Sequence, residues 1–130
     1  MRRVAVPGMG VVSPLGCSVA EVYGNAATGY SGIRRLEAPF AQRLNAPLAA
    51  TVDFDAAAHF EPPKLRMLDR SSQFALVAAR QAFADAHCDR DAVDPSRAGT
   101  FVGTGMGGSQ SNDDGYQTLD VGQRHVEEDV

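Results

Sequence analysis

The sequence predicts an α/β fold, and three observations predict it. A β-branched opening run ends at Pro7-Gly8, an alanine-faced helical pattern fills the middle, and an apolar run from Ala98 to Val102 ends on a cluster of glycines. Strand, loop, helix, long helix and strand in that order is the pattern of α/β chains. At 130 residues and 13.8 kDa there is room for one small domain. The 44% apolar and 22% charged composition is that of a globular chain and excludes wholesale disorder or collagen-like structure.

Each element has its own justification. Arg3 to Val6 reads as a strand, and Gly8 to Gly16 as a loop rich in glycine and proline. Ser18 is a good helix N-cap, with Glu21 three residues on as its capping-box partner. That helix runs from about Val19 to Thr28, and Gly29 stops it. Residues 30–60 read as irregular, with Arg34, Arg35 and Arg43 giving a basic flavour and Leu48 to Val52 a strand. A long helix is predicted from about Pro63 to His87, with Pro62-Pro63 at its start. Leu68, Ala75, Ala79, Ala82 and Ala86 make its apolar face, widened by Phe74, Val77 and Ala78. Arg66, Asp69, Arg70, Gln73, Arg80 and Asp85 hold much of its wet side. Asp94-Pro95 marks a turn before the strand Ala98 to Val102, and Ser109 to Gly115 reads as turn chemistry again.

Composition excludes several function classes. A net charge of −4 weighs against a nucleic-acid partner. The acidity is concentrated in residues 109–130, which carry six acids and one base. Cys17 and Cys88 are too few for a disulfide scaffold and form no C-x-x-C, which suits a reduced, cytoplasmic setting. The opening apolar run is broken by Pro7, Gly8, Gly10 and Pro14, so it reads as no signal peptide. No apolar stretch approaches the roughly 20 residues of a membrane span, so no membrane association is expected.

Candidate chemistry is sparse. Gly103, Gly105 and Gly108 spell the G-x-G-x-x-G of a dinucleotide loop, which also needs a helix opening at the third glycine. Turn residues and the anionic Asp113 and Asp114 follow instead, so the glycines read as positions needing positive φ or close backbone approach. His59, His87 and His125 lack metal-ligand spacing. Cys17 lies at a helix start, where a dipole can acidify a thiol, but has no evident base; Ser13 lacks a G-x-S-x-G setting. Lys64, Arg66 and Arg70 put three bases at the expected start of the long helix, as a solvated helix end or a docking patch.

The run from Arg2 through Pro7-Gly8-Met9-Gly10 to Ser13-Pro14-Leu15-Gly16 resembles the opening of the β-ketoacyl-acyl carrier protein synthases. These are the elongating condensing enzymes of fatty acid and polyketide synthesis. The resemblance continues through Gly29-Tyr30-Ser31-Gly32-Ile33, Asp53-Phe54-Asp55, the run Arg66 to Leu76, and Val102 to Gly108. It covers residues 2–119, about the first third of such an enzyme, and favours the stand-alone bacterial type. It implies the N-terminal part of a thiolase-like layered α/β/α/β/α fold, usually in a homodimer. It implies elongation by decarboxylative Claisen condensation with malonyl carrier protein, with no metal or redox cofactor.

Carried over residue by residue, the resemblance implies that Lys64 and Arg66 dock acyl carrier protein. It implies that the loop Gly103, Thr104, Gly105, Met106, Gly107 and Gly108 lies at the acyl pocket near the dimer interface, with Met106 lining that pocket. No catalytic residue is assigned, because neither cysteine has the family's Cys-Ser setting and no histidine matches its two motifs. Pro7 stands where the family usually has Thr. Residues 1–119 therefore read as an incomplete thiolase-like half, inactive alone, and residues 120–130 as an acidic tail of other origin. The alternatives are a non-catalytic partner of a synthase or carrier protein, and a small nucleotide-binding module.

Overall fold

Helix α1 (Val19–Ala27) begins where its cap predicts. Ser18 is extended, at φ −141° and ψ 155°, and its hydroxyl accepts the Glu21 amide at 3.3 Å. Glu21 does not return the bond to Ser18 as a capping box would; its Oε2 accepts the Cys17 amide at 2.9 Å. Thr28 closes the helix, and Gly29 turns the chain away at φ +72°, a conformation that favours glycine. The computed structural model that shows this describes residues 3–89, 91 and 93–128.

Two short strands follow, β1 (Ile33–Arg35) and β2 (Leu48–Ala50), paired antiparallel with Arg34 opposite Ala49. β2 falls in the predicted strand, whereas β1 was not expected. Short 3₁₀ turns lie at Pro39–Arg43, Ala56–Ala58 and Pro95–Arg97.

The predicted long helix is two helices, α2 (Pro62–Leu65) and α3 (Arg70–Asp85). The break has a local cause. Asp69 is extended, at φ −66° and ψ 166°, and its side chain accepts the Ser72 amide, so it caps a new helix. Pro62-Pro63 starts only a single turn.

Two further expectations fail. Neither Arg3 to Val6 nor Ala98 to Val102 forms a strand among the described residues. β-branched residues state what a backbone fits, but a strand needs a neighbour's amides and carbonyls. Val4 is 92% exposed and Phe101 97%, so neither run has a covered face.

The chain after Pro7 crosses α3 instead. The Met9 amide donates to Asp85 Oδ2 and the Val11 amide to Gln81 Oε1, both at 2.9 Å. Gln81 Nε2 donates in turn to the Cys17 carbonyl at 2.7 Å, so one side chain clasps both limbs of the loop. The crossing is close enough that a methyl at Gly10 would collide with the Ala78 carbonyl, and one at Gly8 with the Ala82 carbonyl.

The core is small. Val77 and Gln73 on α3 are buried, with Phe60 and Ala41. Gln73, read as a wet-side residue, turns inward; its Nε2 donates to the Leu68 carbonyl at 3.0 Å, and its Oε1 meets no protein donor. Ala75 and Ala79, read as core-facing, are exposed. The reason is which side of α3 is covered. Phe54 packs beside α3, edge-on to Phe74 and stacked on His59, each at 5.1 Å between centroids. Arg80 completes the cluster, 4.9 Å from the Phe60 ring centre, while its Nη1 donates to the His59 carbonyl.

α4 (Ser109–Glu128) opens directly after Gly108, where turn chemistry was expected, and runs through the expected division at residue 119 without a break. The described secondary structure is thus α/β, four helices with one two-stranded sheet. No helix among the described residues is long and apolar enough to cross a membrane. The accessible surface is 11212 Å², against about 6,600 Å² for a compact monomer of this mass.

Candidate functional site

The candidate residues gather around the elbow between α2 and α3. Pro62 and Pro63 fix the entry to α2, which carries Lys64, and Arg66 is its C-cap. Lys64 and Arg66 are exposed. They therefore lie on α2 and its cap, not at the start of a continuous long helix. Arg70, the first residue of α3, is committed elsewhere: its guanidinium lies 4.8 Å from the ring centres of both Phe54 and Phe74, and Nη2 donates to the Phe54 carbonyl.

Asp69 is the pivot of the elbow. Its Oδ1 accepts the Ser71 hydroxyl at 2.7 Å and the Ser72 amide at 2.8 Å, and its Oδ2 accepts the Ser72 hydroxyl at 3.2 Å. These bonds, the Ser71 hydroxyl foremost, hold its carboxyl below the usual aspartate value.

The glycine loop packs on the far side of Asp69. Thr104 Oγ1 accepts the Gly107 amide at 2.9 Å and closes the loop on itself. A Cβ at Gly107 would sit 2.7 Å from Thr104 Oγ1 and 2.8 Å from Ser71 Oγ, so close approach explains this glycine. Gly108 has φ +79°, which explains that one, whereas Gly103 and Gly105 stand in open space. Met106 is 83% exposed. Two cavities flank the loop. One of about 540 Å³ lies between Leu68, Ser72 and Leu76 and the segment Val102–Thr104. One of about 280 Å³ lies between Arg70, Phe74 and Met106.

The remaining candidates lie apart. Cys17 Sγ is 3.5 Å from the Asp53 carbonyl, in a polar cleft of about 500 Å³ with Glu21, Asn25 and Arg34. His59 belongs to the aromatic cluster, and His87 contacts the Asp85 carbonyl through Nδ1 at 2.9 Å. The side chain of His125 lies outside the described residues. Among the described residues no three His, Cys, Asp or Glu side chains gather as metal ligands do.

The dinucleotide reading meets a specific obstacle. A helix does open after Gly108, as that reading needs. Yet Asp69 Oδ2 lies 3.8 Å from the Cβ position of Gly108, which puts an anion beside the place of a pyrophosphate. Sequence reading missed Ser71 and took Asp69 for a wet-side residue. The spacing Asp69-Arg70-Ser71-Ser72 carried the N-cap signal, but a proline pair seven residues earlier offered a competing start.

Comparison with known proteins agrees with the order of these motifs. The family model described as "Beta-ketoacyl synthase, N-terminal domain" matches residues 1–129. A polyketide β-ketoacyl synthase 1 of Streptomyces halstedii is 38% identical over 122 residues, 93% of this chain and 29% of that protein. A 3-oxoacyl-[acyl-carrier-protein] synthase 2 of Staphylococcus aureus is 33% identical over 127 residues, 96% of this chain and 31% of that protein. A granaticin polyketide β-ketoacyl synthase 1 of Streptomyces violaceoruber is 34% identical over 119 residues, 91% and 28% of the two chains. The chain thus spans 28 to 31% of the length of these relatives.

Proposed function

The chain belongs to the β-ketoacyl synthase family, matching its N-terminal domain, and on that premise we propose that it forms the carrier-facing part of an enzyme that elongates acyl chains. In that reaction malonyl carrier protein loses CO₂, the carbanion attacks an acyl thioester carbonyl, and the thiolate leaves. No residue of this chain is assigned a bond-making role, and no metal or redox cofactor is invoked. Lys64 and Arg66 dock the acyl carrier protein, and the Gly103–Gly108 loop places Met106 in the wall of the acyl pocket near a homodimer interface.

One observation carries this reading. The α2–α3 elbow holds the exposed Lys64 and Arg66 in its first limb, while the second starts at Asp69 against the loop that bears Met106. A carrier held on the first limb would present its thioester close to the loop. Met106 suits a pocket wall because a flexible thioether adapts to a chain end. The exposed Val4, Val6, Phe101 and Val102 fit a larger thiolase-like layered structure whose strands they would join.

The test uses an intact synthase carrying residues 3–119. Arg66→Glu raises KM for acyl carrier protein about tenfold at low salt, and the loss shrinks as salt screens the attraction. Met106→Phe shortens the preferred acyl chain and leaves carrier KM unchanged. Two variants indistinguishable from the parent in both readouts would remove this reading and leave only family membership.

A further inference from the structure

Asp69, Ser71 and Gly107 share one property: each lines both cavities beside the glycine loop. They form the partition between a space of about 540 Å³ and one of about 280 Å³. We propose that Ser71, aimed by Asp69, is a positioning residue that seats the Gly103–Gly108 loop on α3, and thereby fixes the acyl chain length accepted beneath Met106. The chain-length part rests on the reading of Met106 as a pocket wall.

The Ser71 hydroxyl has one proton, and Asp69 Oδ1 takes it at 2.7 Å. The same Oδ1 is held by the Ser72 amide at 2.8 Å, so the acceptor is fixed to the helix and the Ser71 rotamer with it. Ser71 Oγ then stands 2.8 Å from where Gly107 would carry a Cβ. The loop can come this near only because residue 107 has no side chain, and the Ser71 oxygen faces the place that side chain would fill. Thr104 Oγ1 grips the Gly107 amide from the other side at 2.9 Å, so the contact is passed to the whole loop. Met106 precedes Gly107 and moves with it. Removing the Ser71 hydroxyl thins the partition and lets the two cavities run together, whereas a methyl at Gly107 pushes the loop off the helix.

The experiment is a chain-length series on the intact synthase carrying residues 3–119, scored as the ratio of kcat/KM for long over short acyl carriers. Ser71→Ala should raise that ratio about fivefold, the worth of one hydrogen bond, with carrier KM unchanged. Asp69→Ala should do the same, and Asp69→Asn, which keeps an acceptor at Oδ1, should stay near the parent. If Ser71→Ala does not fold, Ser71→Cys, near in size but a weak donor, is scored by the same ratio. A rate loss equal at every chain length, or a ratio within about twofold of the parent, overturns the positioning role if Met106→Phe does shift the ratio. If Met106→Phe leaves the ratio unmoved, the pocket reading has failed and this proposal falls with it.

Discussion

Adding one methyl group at Gly10 should cost this protein far more than adding it at Gly24. At Gly10 the methyl meets the Ala78 carbonyl and lies 2.8 Å from the Ala82 amide nitrogen, both backbone atoms of α3 that no rotamer change can move. The loop must lift, and lifting breaks the 2.9 Å bond from the Val11 amide to Gln81. Overpacking costs about 1–3 kcal/mol and the lost hydrogen bond about 1, for a total near 3 kcal/mol. Gly24 lies inside α1 with nothing within 4 Å of its Cβ position. There Gly→Ala gains about 0.5–1 kcal/mol from helix propensity. The assay is a urea titration of the dilute chain followed by far-UV ellipticity, since the sequence has no Trp. With a slope near 1.5 kcal/mol per molar, Gly10→Ala lowers the midpoint by about 2 M and Gly24→Ala raises it by about 0.5 M. Equal shifts, or a Gly10→Ala chain as stable as the parent, would show that the loop does not cross α3 at this distance.

Two further outcomes are expected. The Asp69 carboxyl is held below its usual value, first by the Ser71 hydroxyl, so its anion is favoured in the folded state. Its contribution is therefore present above the unfolded aspartate value and is lost as pH falls through the folded one. Protection of the Ser72 amide against exchange should stay level down to the usual aspartate range and drop below it, a dependence that Asp69→Asn abolishes; an Asp69 titration at or above the usual value would contradict the bonding described. The second outcome concerns surface. With Val4, Val6, Phe101, Val102 and Met106 all exposed, the isolated 130-residue chain should bind an apolar dye and self-associate as concentration rises. A dye-free monomer at all concentrations would count against the surface as described.

What the sequence revealed follows the range of each interaction. Ser18 and Gly29 bracket α1 because caps and stops act within a few residues. Asp69 carried the same kind of signal and was outweighed by Pro62-Pro63, so one long helix was expected where there are two. The runs Arg3 to Val6 and Ala98 to Val102 show the limit for strands, whose pairing is set by chain far away in sequence. β1 gave no pattern to read, since Ile-Arg-Arg alternates nothing. At the candidate site, the resemblance pointed to the glycine loop and the basic residues. It did not find Ser71, because its partner Gly107 is a contact made only by folding.

The Gln81 clasp bears on how this protein ages. Its side-chain amide uses both ends, accepting from the Val11 amide and donating to the Cys17 carbonyl. Side-chain amides are among the groups that heat hydrolyses. Hydrolysis of this one to a carboxylate would leave the bond to Val11 intact but set oxygen against oxygen at Cys17. One limb of the loop would stay tied to α3, while the other, still held by Glu21 at the Cys17 amide, would lose its tie to that helix, and the molecule would be one dalton heavier with one more negative charge. Wear at a single atom would thus loosen one limb of the loop from α3, and the damaged molecules would be separable by charge.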